Sequence, residues 1–138
     1  MSNSFHYLVM AEHSMFQKDL QASLKGSGLT IGQPKVLDYL KDHDGAEQKD
    51  IARGCHIEPG TLTSLLNRME ECRLVERRML NGNRRSFFIF LTEKGKRQLK
   101  LVTQAFTEIE EKAFQGIPEA DREKFMDMFS RIYENTMS

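Results

Sequence analysis

Five short polar or cationic side chains, Thr61, Thr63, Ser64, Asn67 and Arg68, alternate along the chain with the apolar residues Leu62, Leu65, Leu66 and Met69. The apolar set falls at i, i+3, i+4 and i+7, so on a helix it forms one stripe and the polar set lies opposite. Hydroxyls, an amide and a guanidinium on one helical face suit a particular chemistry. Asn can pair in bidentate fashion with adenine, Arg with guanine, and hydroxyls with either. A second cluster, Arg77, Arg78, Arg84 and Arg85, surrounds the dipeptide Asn81-Gly82. Long cations of this kind suit phosphates, or a narrow minor groove with its deepened negative potential.

Other chemistries find less support. An enzyme needs a convergent nucleophile, base or metal set, and none is visible. His6, His13, His43 and His56 show no tight ligand spacing with the cysteines or acids, so no metal and no cofactor are expected. Cys55 and Cys72 flank the proposed helix and would stand about 20 Å apart along it, too far for a disulfide. Two reduced thiols are expected.

Charge supports the polyanion reading. The 138 residues carry 20 Lys and Arg against 20 Asp and Glu, yet the charges are unevenly placed. Residues 1–50 carry a balance of −2, residues 51–100 of +6 with 11 basic and 5 acidic side chains, and residues 101–138 of −4. A basic middle between acidic ends is the footprint of a polyanion-binding surface. The longest wholly apolar runs, residues 7–11 and 87–91, are five residues each, far below the ~20 needed to span a bilayer. The first residues lack the pattern of a secretory signal, and a cytoplasmic location is expected.

The elements that must position these side chains can be read in order. Phe5, Leu8, Val9, Phe16, Leu20 and Leu24 recur at helical spacing over residues 5–24, and Gly26-Ser27-Gly28 stops that helix. Thr30-Ile31-Gly32-Gln33 has the form of a capping box for a second helix carrying Val36, Leu37 and Leu40. A short third helix over 48–53 turns Ile51 and Ala52 inward, with Gly54-Cys55-His56 as the turn. Pro59 suits the first position of the fourth helix. Extended segments at 75–80 and 85–91 flank Asn81-Gly82, a strong hairpin signal. Thr92 can cap a long helix over 93–115, which Gly116-Ile117-Pro118 breaks. A final helix carries Phe125, Met128, Phe129, Ile132 and Tyr133 on one face. The small basic unit cannot easily bury the stripes of both terminal helical regions, so a homodimer is expected.

This order resembles the MarR family of winged-helix transcriptional regulators over nearly the whole chain. The resemblance is densest in Leu29-Thr30, Gln33, Val36-Leu37, Asp50-Ile51-Ala52 and residues 57–75. It closes with Asn83-Arg84-Arg85 and Leu91-Thr92-Glu93-Lys94-Gly95, similar to the family's wing signature. Asn83 stands where the family usually has Asp, and Arg73 where it favours Gly. A left-handed backbone at Arg73 would cost about 1–2 kcal/mol relative to Gly.

The resemblance implies a mainly α fold with a small β-hairpin wing, a winged helix-turn-helix over about 30–92, and dimerisation helices at 1–28 and 93–138 of a single domain. It implies a double-stranded DNA-binding regulator, a repressor, whose homodimer binds a pseudo-palindromic operator. The DNA-binding residues would be Gln48, Thr61, Thr63, Ser64, Asn67, Arg68, Arg84 and Arg85, with Arg85 in the minor groove. Release by a small aromatic or lipophilic effector is a family habit, and His13, Met15, Phe16 and Tyr39 are the expected lining. The rival reading is a winged helix that binds protein and no longer touches DNA; it should have lost the polar face and basic tip that this sequence keeps.

Overall fold

A computed structural model of the chain describes residues 2–80 and 86–137. In chain order these form α1 (Phe5–Ser23), α2 (Gln33–Asp42), β1 (Ala46–Glu47), α3 (Gln48–Cys55), α4 (Pro59–Glu71), β2 (Val75–Arg78), β3 (Phe88–Leu91), α5 (Glu93–Ala113) and α6 (Glu119–Met137). The fold is mainly α with a small antiparallel sheet. The chain divides into two compact units, residues 1–106 and 107–138, with the boundary inside α5. No helix among the described residues is long and apolar enough to cross a membrane.

The first unit is built on the stripes read from the sequence. Val36, Leu37 and Leu40 of α2, Ile51 of α3, and Leu62, Leu66 and Met69 of α4 are fully buried, together with Val75 and Ile89 of the sheet and Val102 of α5. Burying each such side chain is worth roughly 1.5–3 kcal/mol, which makes this cluster the organising core. The sheet has three strands where a two-stranded hairpin was expected. Short β1 pairs with β3, placing Ala46 opposite Ile89, while β2 pairs with the other side of β3. Two residues are too few for a periodic signal. Asp44 adds a further tie, its Oδ1 accepting the Leu91 N–H at 2.8 Å.

Several local expectations need correction. The capping box forms only in part: the Gln33 side chain accepts the Thr30 N–H at 3.1 Å, but the N-cap is Gly32, at φ 92° and without a side-chain cap bond. A Cβ on Gly32 would lie 3.1 Å from a Leu65 methyl, so the close approach to α4 and the positive φ both favour glycine. Gly54 and Cys55 belong to α3, and the turn falls at left-handed His56 (φ 54°). A Cβ on Gly54 would overlap the Tyr39 ring, so this glycine permits helix packing rather than a turn. The strands are shorter than the extended segments, and α5 ends at Ala113 rather than at residue 115.

The junction between β3 and α5 follows from two side chains. Thr92 Oγ accepts the Gly95 N–H at 2.9 Å and donates to the Arg73 and Leu74 carbonyls. A Cβ on Gly95 would overlap the Leu74 carbonyl oxygen. The Leu-Thr-x-x-Gly sequence therefore lets the first turn of α5 sit directly on the strand entering the sheet. Arg73 is left-handed (φ 62°), the strained condition anticipated from its type.

In the second unit, Gly116 (φ 80°) turns the chain and the Ile117 N–H donates to the Phe114 carbonyl. Arg122 pairs with Glu110 at 3.5 Å and lies 4.2 Å from the Phe114 ring centre. Phe125 meets Phe114 edge-on and stacks on Phe129. No residue of α6 is buried within the chain.

Candidate nucleic-acid interface

Helix α4 begins on an unusual cap. Glu58 is the N-cap, and its carboxylate accepts the N–H groups of Gly60 (3.3 Å) and Thr61 (3.2 Å) and the Thr61 hydroxyl (3.1 Å). These bonds, that from Gly60 foremost, hold its carboxyl below the usual carboxylate range. Pro59 follows at the first helical position, where no N–H is missed. From this start the helix turns Leu62, Leu65, Leu66 and Met69 into the core and leaves Thr61, Thr63, Ser64, Asn67 and Arg68 exposed. The structure thus brings the five predicted residues of α4 onto one open face.

Gln48, at the start of α3, joins that face. Its Nε2 donates to Thr63 Oγ at 2.8 Å, and the Thr63 hydroxyl donates in turn to the Pro59 carbonyl at 3.0 Å. Gln48 and Thr63 therefore hold α3 and α4 in register. Ser64, Asn67 and Arg68 are the exposed donors and acceptors farther along the helix. Arg84 and Arg85, with Asn83, lie outside the described residues.

The sheet contributes a residue whose role was not legible from its type. Arg77 of β2 reads in the sequence as one more cation of the hairpin, but its side chain is only 16% exposed. Its Nη2 donates to the Thr63 carbonyl at 3.3 Å, and its backbone N–H donates to Glu70 Oε2 at 3.2 Å. Arg78, by contrast, stays half-exposed, pairing with Glu76 at 2.9 Å over the Phe90 ring. Between α3, α4 and the sheet lies a cavity of about 670 Å³, with Gln48, Thr63, Arg77 and Phe87 in its wall.

Three of the four residues expected around an effector lie on α1 and the fourth, Tyr39, on α2. His13 and Met15 are exposed on α1, Phe16 packs on Phe106 with ring centres 5.8 Å apart, and Tyr39 stacks on His43 at 4.2 Å. None of them lines the cavity beside Arg77. Both thiols are free. Cys55 is buried and burial pushes its pKa up to about 11, which leaves little thiolate at neutral pH. Among the described residues, no three His, Cys, Asp or Glu side chains group as a metal site.

This arrangement of two packed helices, the second with an open polar face, beside a small three-stranded sheet is matched by known proteins. A family model described as MarR family matches residues 27–86, the segment from the turn before α2 into the sheet. Over this segment the chain is similar to the MarR family. Among curated relatives, the organic hydroperoxide resistance transcriptional regulator of Bacillus subtilis is 30% identical over 95 residues, covering 69% of this chain and 65% of that protein. The chain spans roughly half to two-thirds of the length of the first curated relatives it matches. Among solved structures, the S. aureus MepR–DNA complex superposes with a TM-score of 0.83 at 27% identity, covering 98% of this chain and 99% of that one. A MarR transcriptional regulator from Methanosarcina mazei Go1 shares the fold, with a TM-score of 0.87 at 22% identity over 96% of this chain and 88% of its own.

Proposed function

We propose that this chain is a sequence-specific double-stranded DNA-binding transcriptional regulator of the MarR family, a repressor acting as a homodimer on a pseudo-palindromic operator. The observation that carries the reading is helix α4, whose apolar stripe is consumed by the core while its base-compatible side chains stay open. The +6 balance of residues 51–100 supplies the sequence-independent attraction to phosphates. Helix α4 enters the major groove, and Asn67 and Arg68 read base edges there. Arg85 serves the adjoining minor groove, and Arg84 contacts the DNA beside it.

Dimerisation rests on apolar surface that each unit leaves uncovered. Helix α1 exposes Phe5, Tyr7, Leu8, Val9 and Met10, and α6 exposes Phe125, Met128, Phe129, Ile132 and Tyr133. A second copy is the partner that buries both sets and supplies two recognition helices at once. Effector release is assigned to His13, Met15, Phe16 and Tyr39, whose imidazole, sulfur and aromatic groups suit a flat ligand with one polar handle. Titrating phenolic acids into a preformed complex tests that assignment, and DNA release by none of them removes it.

The experiment for the main reading is enrichment of duplexes from a random library by the wild-type protein, followed by a gel shift with the chain's own upstream DNA. Enrichment of an inverted repeat supports the proposal. A protein that enriches no sequence and binds all duplexes equally would refute it.

A further inference from the structure

Helix α4 and strand β2 are tied by a single residue, Arg77, whose side chain and backbone N–H together span two turns of the helix. Arg77 Nη2 donates to the Thr63 carbonyl at 3.3 Å, while its Nη1 stands 3.9 Å from Glu70 Oε1 and its backbone N–H donates to Glu70 Oε2 at 3.2 Å. The guanidinium carbon lies 5.8 Å from the centre of the Phe87 ring, near the start of β3. A carbonyl has two lone pairs, so the Thr63 oxygen can take the Arg77 bond besides its helical one. From the other side, α3 holds the same residue through the Gln48–Thr63 hydrogen bond of 2.8 Å. Thr63 is thus fixed by α3 and by the sheet together.

We propose that Arg77 is a positioning residue, locking the strand that leads into the wing to the helix that reads bases, and so setting the tilt of α4 in the groove. The inference rests on the DNA-binding reading above. With 16% of its side chain exposed, the Arg77 charge is turned into the protein and away from a phosphate. Its Nε is buried without a hydrogen-bond partner among the described residues, and an unpaired buried donor is unfavourable. What the position uses is the planar fork, whose Nη2 donates to the Thr63 carbonyl while Nη1 stays within ion-pair range of Glu70 at 3.9 Å. A lysine has the charge but a single nitrogen, and cannot donate to the Thr63 carbonyl and face the Glu70 carboxylate at once.

This separates positioning from charge. Both Arg77→Lys and Arg77→Met should lose about tenfold in affinity for a duplex enriched by the wild-type protein, the scale of one charge-assisted hydrogen bond. Arg77→Lys, which keeps the charge, should not lose affinity for a shuffled duplex of the same composition, so discrimination falls; Arg77→Met should lose there only the small amount that one missing charge costs on every duplex. The dependence of log affinity on log salt should keep its slope in Arg77→Lys and Arg77→Met, whereas a lost phosphate contact would lower it by about 1.

Glu70→Gln gives the test a sign. Removing an acid near a polyanion strengthens all binding through the field alone, but releasing Arg77 should weaken the enriched duplex and leave the shuffled one unchanged or tighter. Glu70 is 44% exposed, so this variant keeps the core and carries the test if Arg77→Met melts early in circular dichroism. Arg77→Lys binding and discriminating like wild type, or Glu70→Gln tightening both duplexes equally, would overturn the inference while leaving DNA binding intact. A wild-type protein that enriches no duplex would overturn the DNA reading and this inference with it.

Discussion

Helices α4 and α6 are both amphipathic, yet the chain disposes of their apolar stripes in opposite ways. In α4, Leu62, Leu66 and Met69 are fully buried within the chain, and what remains outside is hydroxyl, amide and guanidinium. In α6, Phe125 and Phe129 are 44% exposed and Met128 59%, and no residue is buried. A stripe closed within its own chain leaves a polar face for a polar partner. An open apolar stripe calls for an apolar one. The same period in sequence thus serves folding in one helix and, in the proposed dimer, assembly in the other.

The largest expected effect is on assembly. Phe129→Glu with Ile132→Glu should leave the first unit folded but shift the protein from dimer to monomer in sedimentation at micromolar concentration. Operator affinity should fall by about two orders of magnitude or more, because the two half-sites no longer act through one linked ligand. A dimer that persists in this variant would remove α6 from the interface.

The matching change in α4 should act on folding. Leu66→Ala deletes a fully buried side chain and should cost about 2–5 kcal/mol in denaturant unfolding. In the α6 variant the stability loss should depend on protein concentration, as the proposed dimer requires. In Leu66→Ala the loss should appear in the first unit at every concentration. If both losses respond alike to concentration, the contrast between the helices fails.

On the polar side of α4, Asn67→Ala and Arg68→Ala should each weaken operator binding by about 1–3 kcal/mol and relax preference at the base pairs they meet. Neither side chain is part of the core, so thermal melting should be unchanged. A uniform loss across all sequences would demote the residue to a phosphate contact.

How far the sequence was readable follows from the same physics. Stripes with a helical period marked α1, α4 and α6, because a helix that turns one face to an apolar partner must repeat it with that period. Base-compatible side chains were visible wherever they sit opposite such a stripe. Arg77 was not, since an arginine that spans strand and helix has the same one-letter signature as one that faces solvent. Strand β1 escaped because two residues carry no alternation. The Gly32 cap escaped because a close approach to Leu65, rather than a side-chain oxygen, decides it. Glu58 escaped for a related reason: Ser, Thr, Asp and Asn are the usual N-caps, and a glutamate reaches back only where the following turn lets it.

The smallest effect concerns that glutamate. Its folded-state carboxyl is held below the ordinary value by the Gly60 and Thr61 bonds. The stabilisation is therefore present above the unfolded pKa of about 4.3 and is lost as pH falls through the lowered folded value. Glu58→Ala should melt slightly earlier than wild type at neutral pH, and the two curves should converge in strong acid. A gap that stays constant with pH would mean that the carboxylate is not what caps α4.

The most direct test of the central claim is hydroxyl-radical footprinting of the wild-type dimer on an enriched duplex across a salt series. The account predicts two equivalent protected half-sites, related by a two-fold axis and about one helical turn apart on one face of the DNA, with affinity falling steeply as salt rises. A single unrepeated footprint, or protection that is indifferent to salt, would contradict it.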